Sequence, residues 1–181
     1  MNFLSSRLRY LWAKINNHKP LKQKKMKELK VLSEGTNFTA VSAGEFGMLN
    51  DFELPMGPGV TVKGKVFAGA ALKSTGMEMS LQVMAPGQAS PFVHAHKTHE
   101  ELYVIIRGEG EFRVDDSLFA VAEGSLVRVA PAGRRALRNT GATDMVVMCI
   151  QYKADSFGEG DTPMGDGVIL DGEAFPDGLS R

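Results

Sequence analysis

Apolar and polar residues alternate with a period of two along much of the chain after Val31, which is typical of strands that bury one face. In MEMSLQVM, residues 77–84, every second residue is apolar and the residues between them are polar. No stretch of ten residues in this part follows a helical period, and Gly, Asp and Pro separate the short segments. Further strands are predicted at Asn37–Val41, Lys65–Ala68, Leu102–Ile106, Glu111–Val114, Leu118–Val121, Leu126–Val129, Ala136–Asn139 and Met145–Gln151. The pattern predicts an all-β sandwich or barrel.

Two regions fit this pattern less well. Residues 49–76 are rich in Gly and Pro and are predicted to be loops around the strand near Lys65. The tail, residues 156–179, is acidic and glycine-rich, with Val168–Leu170 as its one strand candidate. We find no repeat and no apolar run long enough to span a membrane. Residues 31–181 are therefore predicted to form a single β-barrel domain with a Gly/Asp-rich C-terminal tail.

Charge divides the chain in two although the formal net charge is zero. Residues 1–30 carry nine Lys or Arg and one Glu, so they form a basic N-terminal extension of an acidic body. An acidic body does not attract nucleic acid, whose phosphates need a basic face. The single cysteine, Cys149, cannot form an internal disulfide, and it is compatible with a reducing, cytoplasmic location.

The basic extension has three interpretations. A secretory signal is disfavoured because Arg7, Arg9 and Lys14 interrupt any apolar core. A helix lying on a membrane surface is compatible with apolar residues at helical spacing, namely Leu4, Leu8, Leu11, Trp12 and Ile15. We favour an extension outside the fold, with Met26 as an alternative start, and we expect the barrel to fold without residues 1–25.

Candidate chemistry is concentrated between Pro86 and Val114. His94 and His96 are two residues apart, so in an extended chain both imidazoles point to the same face. Glu101 follows, and Gly108–Gly110 is predicted to form a hairpin turn between two strands. Two imidazoles and a carboxylate can hold a divalent first-row ion and leave coordination positions open.

The spacing of this stretch resembles the first motif of the cupin superfamily. The match runs Gly87, six residues, His94, one residue, His96, four residues, Glu101, six residues, Gly108, and departs from the family pattern by one residue in the first gap. The resemblance implies a double-stranded β-helix, also called a jelly-roll barrel. It also implies a divalent metal held by the two histidines and the glutamate, without distinguishing Fe, Mn, Zn or Ni.

The second cupin motif is degenerate. Gly124, Pro131, Gly133 and Asn139 follow the family pattern imperfectly, with six residues instead of five between Gly124 and Pro131, and the histidine between Gly133 and Asn139 is missing. Counting back from Asn139 puts Arg135 in its place, whereas counting forward from Gly133 puts the next residue, an alanine, there. Neither side chain binds a metal, because guanidinium and alanine have no acceptor lone pair.

Three arrangements follow from the missing histidine. In the first and favoured one, the three ligands still hold a metal, and Arg135 or Arg138 lies at the rim to bind an anionic group. The two arginines are three residues apart on one strand, so only one of them points inward, and we expect it to be Arg135. In the second, no metal is bound and an arginine pairs with Glu100 or Glu101. In the third, another ligand completes the site, the candidates being His99 and Gln151.

The functional prediction is a small cupin that binds a small organic molecule in the barrel beside the metal. Tyr103 shares the strand face of Glu101, and it joins Arg135 and Gln151 as a predicted substrate-binding residue. As an enzyme the resemblance implies an oxygenase, isomerase or lyase, with catalytic residues unassigned. No Ser or Cys nucleophile with a nearby base is found. The alternative is a sensor or carrier without metal, and in either case we expect a homodimer, since cupins commonly pair.

Overall fold

The computed structural model describes residues 27–57 and 59–170. Twelve strands dominate this part of the chain, with two short 3₁₀ helices and two single-turn α-helices between them. The strands are β1 (Lys30–Gly35), β2 (Phe38–Ser42), β3 (Glu53–Gly57), β4 (Val60–Lys63), β5 (Lys65–Phe67), β6 (Met77–Met84), β7 (His99–Arg107), β8 (Glu109–Val114), β9 (Ser117–Ala122), β10 (Leu126–Val129), β11 (Arg135–Asn139) and β12 (Met145–Lys153). The 3₁₀ helices span Phe46–Asp51 and Glu159–Asp161, and the α-helices are α1 (Gly69–Leu72) and α2 (Pro163–Asp166). The all-β prediction is confirmed.

Two antiparallel sheets form the jelly-roll barrel. One has five strands in the order β10-β7-β12-β6-β5, and the other has three in the order β11-β8-β9. The segment before β7 extends the smaller sheet, because Ala89 lies opposite Arg138 and His94 lies opposite Arg135 along β11. Two separate hairpins, β1-β2 and β3-β4, precede the barrel.

The core lies between the two sheets, where alternation sends one face of each strand inward. Tyr103 of β7 meets Phe112 of β8 edge to face, with ring centroids 4.8 Å apart. A second apolar cluster lies between the N-terminal residues and the outer face of the larger sheet, and it includes Leu49 and Val146. Leu29 packs against this second cluster.

The predicted hairpin at Gly108–Gly110 is wrong. β7 pairs with β10 and β12, whereas β8 pairs with β9 and β11, so the chain passes from one sheet to the other at Gly108. Gly108 has φ +85°, and a Cβ there would lie 2.8 Å from the Cα of Met145. A Cβ at Gly110 would lie 2.2 Å from the carbonyl oxygen of Arg138. Both glycines are needed because a Cβ at Gly108 would meet the backbone of β12, and one at Gly110 would meet the backbone of β11, where the chain passes between the sheets.

Three further predictions need correction or comment. Residues 49–76 contain three strands and a helical turn, where one strand was predicted. The β3-β4 hairpin was missed because it contains Gly and Pro residues, which ordinarily indicate loops. Val168–Leu170 is exposed and forms no strand. The predictions for residues 1–26 lie outside the described residues. Within the described residues, no helix is long and apolar enough to cross a membrane.

Candidate metal and ligand site

The three candidate ligands come together from both sheets. His94 and Arg135 exchange backbone hydrogen bonds of 3.3 and 2.9 Å, and the His96 N–H donates to the Pro131 carbonyl at 2.8 Å. These bonds hold His94 along β11 of the smaller sheet and His96 against the loop that precedes β11. Glu101 projects from β7 of the larger sheet and meets them inside the barrel. The two histidines thus come from one side of the barrel and the glutamate from the other.

The ligand atoms of His94, His96 and Glu101 all lie within 4.8 Å of one another. His96 Nε2 is 3.2 Å from Glu101 Oε1, and His94 Nε2 is 3.7 Å from Glu101 Oε2. His94 Nδ1 and His96 Nε2 are buried, and neither has a hydrogen-bond partner among the described residues. His96 Nε2 is the one of these two atoms that lies beside Glu101, and it fits a metal ion because coordination would satisfy the lone pair that the protein leaves unused.

Arg135 is fully buried and lies behind Glu101. Its Nε is 3.2 Å from Glu101 Oε2, an ion pair in which the N–H is not aligned for a hydrogen bond. Its two terminal nitrogens donate to the carbonyls of His94, Pro131 and Ala130 at 3.4, 3.5 and 3.4 Å. The guanidinium therefore neutralises Glu101 and ties it to the loop before β11.

Arg138 points the other way on the same strand. It lies on the exposed face of β11 and donates from Nε to Glu111 Oε2 at 2.7 Å. Arg135 is thus the inward arginine. It faces Glu101, as expected from counting back from Asn139 to the position of the missing histidine. Asn139 is itself buried, and its side chain donates to the carbonyls of Met84 and Thr143, each at 2.8 Å.

Glu101 is held in its ionised form. Burial alone would raise its pKa, but the nearby His94 imidazole, the hydrogen bond from Tyr103 and the neighbouring Arg135 and His96 outweigh burial and hold the pKa far below its ordinary value. Tyr103 donates to Glu101 Oε2 at 2.6 Å, and Cys149 Sγ lies 3.5 Å from Oε1. Burial, the neighbouring Cys149 and Glu101 raise the pKa of Tyr103, while burial and Glu101 raise that of Cys149 to about 12. Both groups stay protonated at neutral pH and act as donors to the carboxylate.

A cavity of about 160 Å³ adjoins this cluster. The described residues that line it are Met56, Lys65, Phe67, Glu78, Ser80, Phe92, His94, His96, Glu101, Cys149 and Gln151. Two larger depressions, of about 260 and 520 Å³, contain none of the three candidate ligands. We take the smaller cavity as the candidate ligand site because it alone of the three meets the buried carboxylate and imidazoles.

The predicted substrate-binding residues divide between the wall and the interior. Gln151 lines the cavity, whereas Tyr103 and Arg135 lie behind Glu101 and are absent from the wall. Arg135 therefore does not lie at the rim, where the first of the three arrangements had expected an arginine. His99 contacts Thr98 and is not part of the ligand cluster.

The sequence analysis missed the residues that β5 and β6 contribute to the wall. In β6 the polar face, with Glu78 and Ser80, turns towards the cavity. The apolar face turns away from the barrel interior, where Leu81 and Val83 pack in the second apolar cluster and Met77 at the strand end is exposed. Alternation revealed the two faces of this strand. A polar face ordinarily indicates exposure to solvent, so these residues were not expected to line a cavity.

Comparisons with known proteins agree with the fold. The family model described as Cupin domain matches residues 80–151. A cupin protein of Bacteroides fragilis with a solved structure is 31% identical, with 65% of this chain and 94% of that chain covered and a TM-score of 0.56. An uncharacterized protein of Methanocaldococcus jannaschii is 28% identical over 78 residues, which are 42% of this chain and 62% of that relative. The chain thus spans about three fifths of that curated relative. A protein of Thermotoga maritima, titled a predicted oxalate decarboxylase, is 19% identical, with 56% of this chain and 90% of that chain covered and a TM-score of 0.47.

Proposed function

This chain belongs to the cupin superfamily, and on that premise we propose that it binds a small organic molecule beside a divalent metal ion held by His94, His96 and Glu101. The observation that carries the proposal is the convergence of these three side chains within 4.8 Å, two of them with buried ring nitrogens that lack partners. Leaving a buried nitrogen such as His96 Nε2 unpaired costs about 1–3 kcal/mol, which a bound ion would recover.

The surroundings of Glu101 support its role as a ligand. A carboxylate binds a metal only in its ionised form, and the contacts from Tyr103 and Arg135 keep it ionised before any metal arrives. Tyr103 also fixes the orientation of the carboxylate, as an outer hydrogen-bond partner does in many metal sites. Tyr103 and Arg135 thus keep Glu101 ionised and oriented for a cation, although neither would be a ligand of that cation.

The chemistry open to such a site depends on the metal. A bound divalent ion would act as a Lewis acid towards substrate oxygen atoms, which is compatible with the isomerase, lyase or oxygenase classes. Nucleophilic catalysis by Cys149 is disfavoured, because burial raises the pKa of its thiol to about 12. The described wall residues bind and orient the ligand, and Phe67 and Phe92 give part of the cavity an apolar surface.

A second candidate function is a metal-free sensor or carrier. It is favoured by the ion pair between Arg135 and Glu101, which already neutralises the carboxylate without a metal. In that case the cavity would bind its ligand by hydrogen bonds and apolar contacts alone. The two candidates differ in a measurable property, the metal content of the protein.

Elemental analysis of the purified protein and of three histidine variants tests the proposal. We expect about one divalent ion per chain after metal loading, and its loss in His94→Ala and in His96→Ala. His99→Ala is the matched control, because His99 lies in the same stretch but outside the cluster. Unchanged metal content in both cluster variants would refute the site, and a wild-type protein that takes up no metal would favour the carrier.

A further inference from the structure

We propose that the cavity beside His94, His96 and Glu101 accepts a small monocarboxylate, and that Lys65 is the residue that binds its carboxylate group. The inference rests on the proposed function because it concerns the ligand of the same cavity. Lys65 lies on β5, which carries none of the metal ligands, and the three metal ligands do not by themselves define the class of the organic ligand.

Lys65 lies across the larger sheet from Glu101. It is the first residue of β5, the edge strand, and it pairs with Gln82 of β6. Two further strand pairings, β6 with β12 and β12 with β7, lead to the strand that carries Glu101. In register, Lys65 lies in line with Gln82, Val147 and Ile105, so it is four residues along the strands from Glu101 as well as three strands across. With about 4.8 Å between strands and about 3.3 Å per residue, the two backbones would be about 20 Å apart in a flat sheet. Both side chains line the cavity, so a ligand of modest length can contact both.

Of the charged side chains near the cavity, Lys65 is the cation that can bind a ligand. Among the described wall residues it is the one with a permanent positive charge, and it forms no ion pair within the described part of the chain. The second wall carboxylate, Glu78, instead accepts hydrogen bonds from the backbone N–H groups of Gly69 and Met79 at 2.7 and 2.9 Å. Arg135 is engaged behind Glu101. Lys65 is half-buried, and an ammonium beside a cavity without a carboxylate partner favours an anionic ligand.

Phe67 holds the ammonium at the apolar part of the wall. The Nζ of Lys65 lies 5.2 Å from the centroid of the Phe67 ring, within the range of a cation–π contact. Lys65 and Phe67 are two residues apart on β5 and so share the inward face. The contact keeps the charge beside the cavity although Lys side chains are otherwise flexible.

The rest of the wall narrows the ligand class. Met56, Phe67 and Phe92 are apolar, and Ser80 and Gln151 offer neutral hydrogen-bonding groups. One lysine in a cavity of about 160 Å³ suits a single carboxylate on a small apolar body. A phosphorylated ligand would bring about 1.5–2 negative charges, for which this wall has too few donors.

The test measures binding of four acids, acetate, propanoate, butanoate and benzoate, and of the four corresponding amides. Binding is followed by calorimetry and by the shift in melting temperature, with metal-loaded and with metal-stripped protein. The variants are Lys65→Met, which removes the charge, and Lys65→Arg, which keeps it. Lys63→Met is the matched control, because Lys63 lies two residues earlier, is exposed and is not part of the wall.

We expect at least one acid to bind and its amide to bind more weakly. In Lys65→Met the Kd of that acid should rise about tenfold or more, which corresponds to about 1.4 kcal/mol. Lys65→Arg should retain most of the affinity, and Lys63→Met all of it. The inference is overturned if no acid in the series binds, if amides bind as well as acids, or if Lys65→Met leaves the Kd unchanged.

Metal analysis of the same samples separates this inference from the proposed function. A protein that lacks metal but binds an acid through Lys65 would refute the metal site and leave the carboxylate site standing. A protein that holds its metal but binds no acid would refute the carboxylate site and leave the metal site standing. Urea unfolding of Lys65→Met and Lys65→Arg identifies a loss of binding that is caused by misfolding.

Discussion

Replacing Arg135 by methionine should destabilise the metal-free protein by about 3 kcal/mol, since breaking a buried ion pair by removing one partner costs about 3–5 kcal/mol. Arg135 is 0% exposed and its Nε lies 3.2 Å from Glu101 Oε2. At that separation and an effective dielectric constant of about 20, the attraction is about 5 kcal/mol before desolvation is counted. We take the low end of the measured range because Tyr103 and the two histidines still contact the carboxylate in the variant.

The pH dependence has a definite sign. The pKa of Glu101 in the folded, metal-free protein lies far below its ordinary value of 4.5. A lowered pKa contributes stability above that ordinary value, and the contribution is lost as the pH falls through 4.5 towards the folded pKa. In Arg135→Met the folded pKa rises, because a neighbouring positive charge is gone. The difference in stability between wild type and variant should therefore be full at pH 7 and shrink under acid conditions.

The assay is urea unfolding of metal-free protein at pH 7 and at pH 4, read as a change in midpoint at constant m-value. Arg138→Met is the matched control, since Arg138 lies on the exposed face of the same strand and its surface ion pair with Glu111 should contribute at most about 1 kcal/mol. Equal stability of the two variants at pH 7 would refute the reasoning. Adding a divalent metal should stabilise Arg135→Met more than wild type, because the ion would replace the missing positive charge.

Three further predictions concern neighbouring features. Arg135→His should tighten metal binding, measured by competition with a chelator, because it removes a cation and adds an imidazole facing Glu101; unchanged affinity would contradict this. Cys149 should resist a thiol reagent at pH 8 in the folded protein and react after unfolding, because burial raises its pKa to about 12; rapid reaction of the folded protein would show that the thiol is accessible. The protein should have the mass of a dimer by light scattering at micromolar concentration, since within the described residues the edge strand β5 has a partner on one side only and Phe67 and Met77 are exposed; a monomeric mass would count against it.

Strand formation and the local arrangement of the histidines could be predicted from the sequence. Met77–Met84 and Leu126–Val129 have the predicted bounds, because alternation along one strand is a property of neighbouring residues. His94 and His96 point to one side for the same reason. The spacing from His94 to Gly108 was sufficient to indicate the cupin family, since it involves one continuous stretch of chain.

The tertiary structure decided which strands pair and which strand faces turn inward. β7 and β8 are consecutive, yet they belong to different sheets, because their partners lie elsewhere in the chain. Alternation distinguishes the two faces of β6 but cannot tell that its polar face lines a cavity. Counting around Gly133 left two candidates for the position opposite Glu101, and the register of β11 against β8 selects Arg135. Lys65 carries no local signal, since its role depends on side chains that three strand pairings bring to the same cavity.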